Sequence, residues 1–136
     1  DLFERHAGGH AGGHAGGGRA GLAGGLARPR TPAVRVVREY IEAHCTEPIR
    51  LATLAELAAV TPFQLIRLCN RELGMSPYAY VKQLRVQRAR SLLQAGAPVA
   101  HVAYAAGFSD QSHLTRTFKS VLGVTPGMYA RAMHAR

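Results

Sequence analysis

Residues 99–126 read VAHVAYAAGFSDQSHLTRTFKSVLGVTP. Val99, Val102 and Ala103 recur at helical spacing, so a short helix is expected from Pro98 to Ala106. Gly107-Phe108 marks a turn, and Ser109 and Asp110 are both suited to capping the next helix. Leu114, Phe118 and Val121/Leu122 then form an apolar stripe that stops at Gly123, the usual residue just past a helix end. Thr125-Pro126 pairs a cap with a first-turn proline and opens one more helix.

The same pattern stands earlier in the chain. Residues 51–77 read LATLAELAAVTPFQLIRLCNRELGMSP, with a short helix from about Leu51 to Ala59, a Thr61-Pro62 start and a stop at Gly74. Leu65, Arg67, Leu73-Gly74, Pro77 and Tyr80 each have a counterpart 49 positions on, at Leu114, Arg116, Leu122-Gly123, Pro126 and Tyr129. Upstream, Leu51 and Leu54-Ala55 match Val99 and Val102-Ala103 at an offset of 48, so the second unit has one extra residue in its turn. A short helix, a tight turn and a longer helix ending at glycine make a helix-turn-helix, whose second helix suits the DNA major groove. Ala55 with Ala58, and Ala103 with Ala106, supply the small side chains needed where two helices cross near a right angle.

Outward from the repeat the pattern stays helical. Thr31-Pro32 starts a helix with a stripe at Val34, Val37 and Ile41, ending near Cys45 before Pro48. Ser76-Pro77 starts a long helix whose expected stripe is Val81, Leu84, Arg88/Ala89 and Leu92, ending at Gly96. Strand-like alternation is lacking. The expected fold is all-α, with seven helices forming two helix-turn-helix subdomains joined by a long linker helix.

Each longer helix divides into faces. In the first, Leu65, Leu68, Cys69 and Leu73 are the buried stripe, leaving Phe63, Ile66, Arg67 and Asn70 outward. In the second, Gln111, Ser112, Thr115, Arg116 and Lys119 face out. Arg can grip guanine O6 and N7, Gln can grip adenine, and Ser or Thr can serve base or phosphate. The alternative, a solvated surface with no partner, is weakened because two such faces recur at a fixed offset with no acidic residue among these positions.

Charge agrees. The 136 residues carry 17 Lys+Arg against 8 Asp+Glu, a formal net charge of +9. Residues 33–136 hold 13 of the basic and 6 of the acidic side chains, so the excess lies on the part expected to fold. A field of that sign attracts polyanions such as nucleic acid or an anionic membrane surface. No apolar run approaches the ~18–20 residues that span a bilayer, so no membrane partner is expected.

The first 32 residues differ from the rest. They hold 10 of the 15 glycines, with His-Ala-Gly-Gly three times at 6–9, 10–13 and 14–17. Such a segment buries too little apolar surface to offset its chain entropy, so residues 1–32 are expected to be a flexible Gly/His-rich linker preceding a tandem helix-turn-helix domain at 33–136. His6, His10 and His14 recur every four residues, but with glycine between them and no other ligand type, no metal is expected. Cys45 and Cys69 are not in a C-x-x-C pair and read as small buried hydrophobes. With no paired carboxylates and no Gly-rich phosphate loop, neither catalysis nor a cofactor is expected.

Residues 99–126 resemble the signature of the AraC/XylS family of bacterial regulators, through Ala103, Gly107-Phe108, Ser109, Phe118-Lys119, Gly123 and Pro126. The earlier half fits through Leu54-Ala55, Arg67, Gly74, Ser76-Pro77, Tyr80, Arg85 and Ala89. The resemblance spans about residues 33–134. It implies two recognition helices joined by a linker helix at Ser76–Ala95 and set in successive major-groove segments of double-stranded DNA, about one helical turn (~34 Å) apart. Carried over by position, Phe63, Ile66 and Arg67, and Gln111, Ser112, Thr115 and Arg116, read bases. Three positions depart from common family usage: Ile66 is apolar, and Cys69 and Asn70 stand where aromatic and basic residues are frequent. The first helix is therefore expected to read thymine methyls and shape more than hydrogen-bond patterns. The resemblance further implies a cytoplasmic, nucleoid-bound transcription activator that contacts RNA polymerase, with its effector domain outside this chain. The alternatives are a stand-alone repressor and a non-specific architectural DNA binder. If the Gly-rich segment is only a joint, deleting residues 1–30 leaves specific DNA affinity within a few-fold. A hundredfold loss in a binding titration would make it an ordered arm.

Overall fold

The computed structural model describes residues 30–135, and among them every regular element is an α-helix. The helices are α1 (Pro32–His44), α2 (Leu51–Ala58), α3 (Pro62–Leu73), α4 (Pro77–Gln94), α5 (Val99–Ala105), α6 (Gln111–Leu122) and α7 (Pro126–His134). These are the seven expected helices, with ends shifted by at most a residue or two. Two compact units divide them: residues 30–44 with Pro48–Val81, and Cys45–Glu47 with residues 82–135. Most of the expected Gly/His-rich linker, including His6, His10 and His14, lies outside the described residues.

In the first unit Val34, Val37 and Ile41 of α1 are buried, as are Leu54, Ala55 and Ala58 of α2 and Leu65, Cys69 and Leu73 of α3. Leu68, expected in that stripe, is half-buried. The axes of α2 and α3 meet at 81°, and α2 buries the small Ala55 and Ala58 beside Leu54. Two polar clusters, around Glu72 and Glu42, tie the unit. The backbone N–H of Thr31 donates to Glu72 Oε1 at 3.0 Å, and its hydroxyl donates to Oε2, holding the entry of α1 against the end of α3. These bonds draw the Glu72 carboxyl below the usual range. Tyr80 donates to Glu42 Oε2 at 2.5 Å, and Arg38 Nε pairs with the same oxygen at 3.0 Å. Burial first, then the Glu42 bond, pushes the Tyr80 phenol up to about 12.

The second unit has a continuous core of Val86, Ala89 and Leu93 from α4, Val102, Ala103 and Ala106 around α5, Phe108, and Leu114 and Phe118 from α6. Val121, Leu122 and Tyr129 pack on it from outside, with the Phe118 and Tyr129 rings edge to face at 5.7 Å. This corrects the expected stripe on α4. Leu84 and Leu92 are only half-buried and Arg88 is exposed, whereas Val86 and Leu93 are buried. The reason is that α4 supplies Tyr80 and Val81 to one unit and Val86, Ala89 and Leu93 to the other. A helix serving two cores has no single apolar stripe.

The cysteines differ from each other. Cys69 is buried, and burial pushes its thiol up to about 12. Cys45 is half-buried rather than fully enclosed, and its thiol is also raised by burial.

The two turns solve one problem differently. The helix α2 ends at Ala59, whose φ of 58° and ψ of 41° lie in the left-handed region. The matching left-handed residue of the second unit is Gly107, at φ 93°. One residue, Val60, separates Ala59 from the Thr61 cap, while Phe108 and Ser109 separate Gly107 from the Asp110 cap. That is the extra residue counted in the sequence. A left-handed alanine costs roughly 1–2 kcal/mol, partly offset by its smaller unfolded-state entropy. Ala59→Gly should therefore stabilise the first unit by about 0.5–1 kcal/mol, read as a higher denaturation midpoint; a lower midpoint would contradict the argument. Phe118 is fully buried. Its truncation to alanine should cost about 3–5 kcal/mol, and unchanged melting of that variant would mean that the face assignment of α6 is wrong.

Candidate nucleic-acid interface

The first turn decides which side chains a helix presents, because it fixes where the helix begins. At α3, Thr61 Oγ1 accepts from the Gln64 N–H at 3.1 Å, and Gln64 Oε1 accepts from the Thr61 N–H at 3.0 Å. This reciprocal capping box encloses Pro62 in the first turn. At α6, Asp110 Oδ1 accepts from the His113 N–H at 2.7 Å. His113 Nδ1 in turn accepts from the Ser109 N–H at 3.3 Å and lies 3.1 Å from the Ser109 hydroxyl. The buried His113 ring also meets Phe108 edge to face at 5.1 Å. Gln64 and His113 thus perform the same task, 49 residues apart. Neither stands out in the stripe-and-face reading of the sequence, although Thr61-x-x-Gln64 carries the spacing of a capping box.

With the starts fixed, the buried positions set the phase. Leu65 and Cys69 in α3, and Leu114 and Phe118 in α6, are fully buried at equivalent places. The outward faces match position by position. Phe63 and Ser112 are exposed, Ile66 and Thr115 are half-buried, Arg67 and Arg116 are exposed, and so are Asn70 and Lys119. Gln111 is exposed at the start of α6. All nine sequence-predicted residues therefore fall on two surfaces, with Ile66 and Thr115 set deeper than expected. Thr117, on the inner side of α6, is buried. Both helices end on glycine in the left-handed region, Gly74 at φ 76° and Gly123 at φ 84°.

The two faces differ chemically. Phe63 is 68% exposed, far more than a large aromatic side chain ordinarily is. The Arg67 guanidinium carbon lies 5.7 Å from the centre of its ring, a cation–π pairing that orients the guanidinium. On α6 the arginine stands among Gln111, Ser112 and Thr115, all able to hydrogen-bond. Neither helix has an acidic residue in its first turn. Among the described residues no group of three His, Cys, Asp or Glu side chains could hold a metal ion, and no single helix is long and apolar enough to cross a membrane.

Residues 54–132 match the family model described as a helix-turn-helix domain. The chain is 37% identical over 109 residues to the transcriptional activator NphR of a Rhodococcus species, covering 79% of this chain and 32% of that protein. Among solved structures it resembles a probable AraC family transcriptional regulator from Rhodopseudomonas palustris, at 34% identity and a TM-score of 0.66, over 74% of this chain and 96% of that one. It also resembles the DNA-binding domain of AdpA in complex with a target DNA, at 29% identity and a TM-score of 0.71, over 77% and 95%. The chain spans about a third of the length of several curated relatives that it matches. The sequence signature, the two helix-turn-helix units and these likenesses agree: the chain belongs to the AraC-type helix-turn-helix family of bacterial transcription regulators.

Proposed function

We propose that residues 33–136 are the sequence-reading part of a transcription regulator, with α3 and α6 entering successive major-groove segments. The reading rests above all on the position-by-position match of exposure between the two helices, in which Arg67 and Arg116 stand out from equivalent fully buried leucines. The DNA bound by the AdpA domain supports it, as does the net positive charge. In this reading Arg116 grips guanine through its paired donors, while Gln111, Ser112 and Thr115 bond neighbouring base edges or phosphate. Lys119, further along α6, contacts phosphate. Phe63 and Ile66 meet thymine methyls beside Arg67, and Asn70 extends that face toward an adenine or a phosphate.

The larger protein is proposed to be an activator that binds upstream of a promoter in the cytoplasm, at the nucleoid, and contacts RNA polymerase. The description of NphR as a transcriptional activator supports that sign of regulation. The Gly-rich residues 1–32 are proposed as the joint to an effector or dimerisation domain, in keeping with the greater length of the relatives.

A titration on an operator and on its single-base variants tests the roles. Arg116→Ala should cost about 1–3 kcal/mol and relax preference at one or two base pairs. Lys119→Ala should weaken all sequences alike and lower the salt slope by about one unit. Arg67→Ala should lose more affinity than specificity. If Lys119→Ala changed base preference while Arg116→Ala weakened every site equally, α6 would be rotated in the groove relative to this assignment. Equal wild-type affinity for every sequence would instead point to an architectural binder.

A further inference from the structure

The second unit contains three residues that lie before its own repeat: Cys45–Glu47, the turn after α1. They fall outside the stretch that the family model matches. Two independent contacts converge on them. From α4, Arg85 Nε donates to the Cys45 carbonyl at 2.7 Å, and a terminal nitrogen of the same guanidinium donates to the Glu47 carbonyl at 2.9 Å. One side chain thus spans the turn through both ends of its fork, which a lysine cannot do. From the other side comes Gly107, the pivot of the second helix-turn-helix. A Cβ on Gly107 would stand 2.7 Å from the Thr46 Cα and 3.0 Å from its carbonyl carbon and oxygen. Backbone therefore lies against backbone, and the φ of 93° independently disfavours any side chain there. One turn further along α4, Arg88 Nε donates to the Ala105 carbonyl at 3.2 Å, holding the end of α5 just before the pivot.

We propose that residues 45–47 are a working part of the second reading unit. They form a wedge that Arg85 seats against Gly107, fixing the angle of the turn 106–110 and with it the direction of α6. Arg85 is then a positioning residue for base reading: it acts on Gln111–Lys119 through the wedge and touches no base itself. The proposal rests on the reading of α6 as a base-reading helix.

Arg85→Ala and Arg85→Lys, in the full chain, should each remain folded by circular dichroism. Each should lose affinity for the operator about tenfold, the equivalent of one strong hydrogen bond. The loss should be accompanied by flattened base preference in the segment read by α6, and preferences in the segment read by α3 should stay within twofold. Amide hydrogen exchange in the free protein should speed up at Gly107–Leu114 and remain as in the wild type through α2 and α3. Equal flattening in both segments, an unchanged preference in both, unchanged exchange at the pivot, or failure of both variants to fold would overturn the positioning role and leave Arg85 a residue of general stability. The wild-type titration separates this from the reading beneath it, because wild-type protein without any base preference refutes base reading itself, whereas the exchange pattern judges the wedge without DNA.

Discussion

Everything that this fold offers to a partner depends on where two helices begin. A shift of one residue at a helix start turns its side chains by 100°, enough to bury an outward arginine or expose a core leucine. Thr61 and Asp110 prevent that shift by accepting a backbone N–H of the first turn, and Gln64 and His113 return a bond to the chain before the helix. Such caps are typically worth about 1 kcal/mol each in stability. Their larger effect here is on register. Leu65 and Leu114 then fall inward, so Arg67 and Arg116 two positions later fall outward.

The same device carries different chemistry in the two units. In the first, an exposed aromatic ring lies beneath its arginine and the next position inward is isoleucine. In the second, hydroxyl and amide groups surround the arginine. Under the proposed function, a duplicated scaffold with unlike faces suits an asymmetric sequence, because hydrogen-bond donors discriminate base edges while apolar groups respond to methyls and groove shape. Construction of the cores allows this divergence. The interior takes Leu65, Cys69 and Leu73 from α3, or His113, Leu114, Thr117 and Phe118 from α6, and leaves Phe63, Arg67, Ser112 and Arg116 exposed.

Much of this is legible in the sequence because the 49-residue repeat doubles every signal. A stripe that is ambiguous once becomes firm when it recurs, which is why both helix-turn-helix units and both outward faces can be read from the residues, while α1 rests on its own stripe of Val34, Val37 and Ile41. What escapes is whatever a single-helix period cannot express. A single stripe on α4 points to Leu84 and Leu92, but that helix feeds two cores, through Val81 and then Val86, Ala89 and Leu93. The left-handed Ala59 is hidden because alanine carries no turn signal, although its partner Gly107 does. The embrace of residues 45–47 by Arg85 and Gly107 joins positions some 40 and 60 residues apart, a tertiary contact with no local signature.

The central claim is that α3 and α6 both lie in the major groove with these faces toward the bases. Methylation interference tests it most directly, since dimethyl sulfate places its methyl on guanine N7 at the floor of that groove. With wild-type protein on a specific operator, the account predicts two separate blocks of interfering guanines, one of which loses its interference in Arg116→Ala while the other keeps it. Interference confined to adenine N3 in the minor groove, or a single block unaffected by Arg116→Ala, would contradict the account.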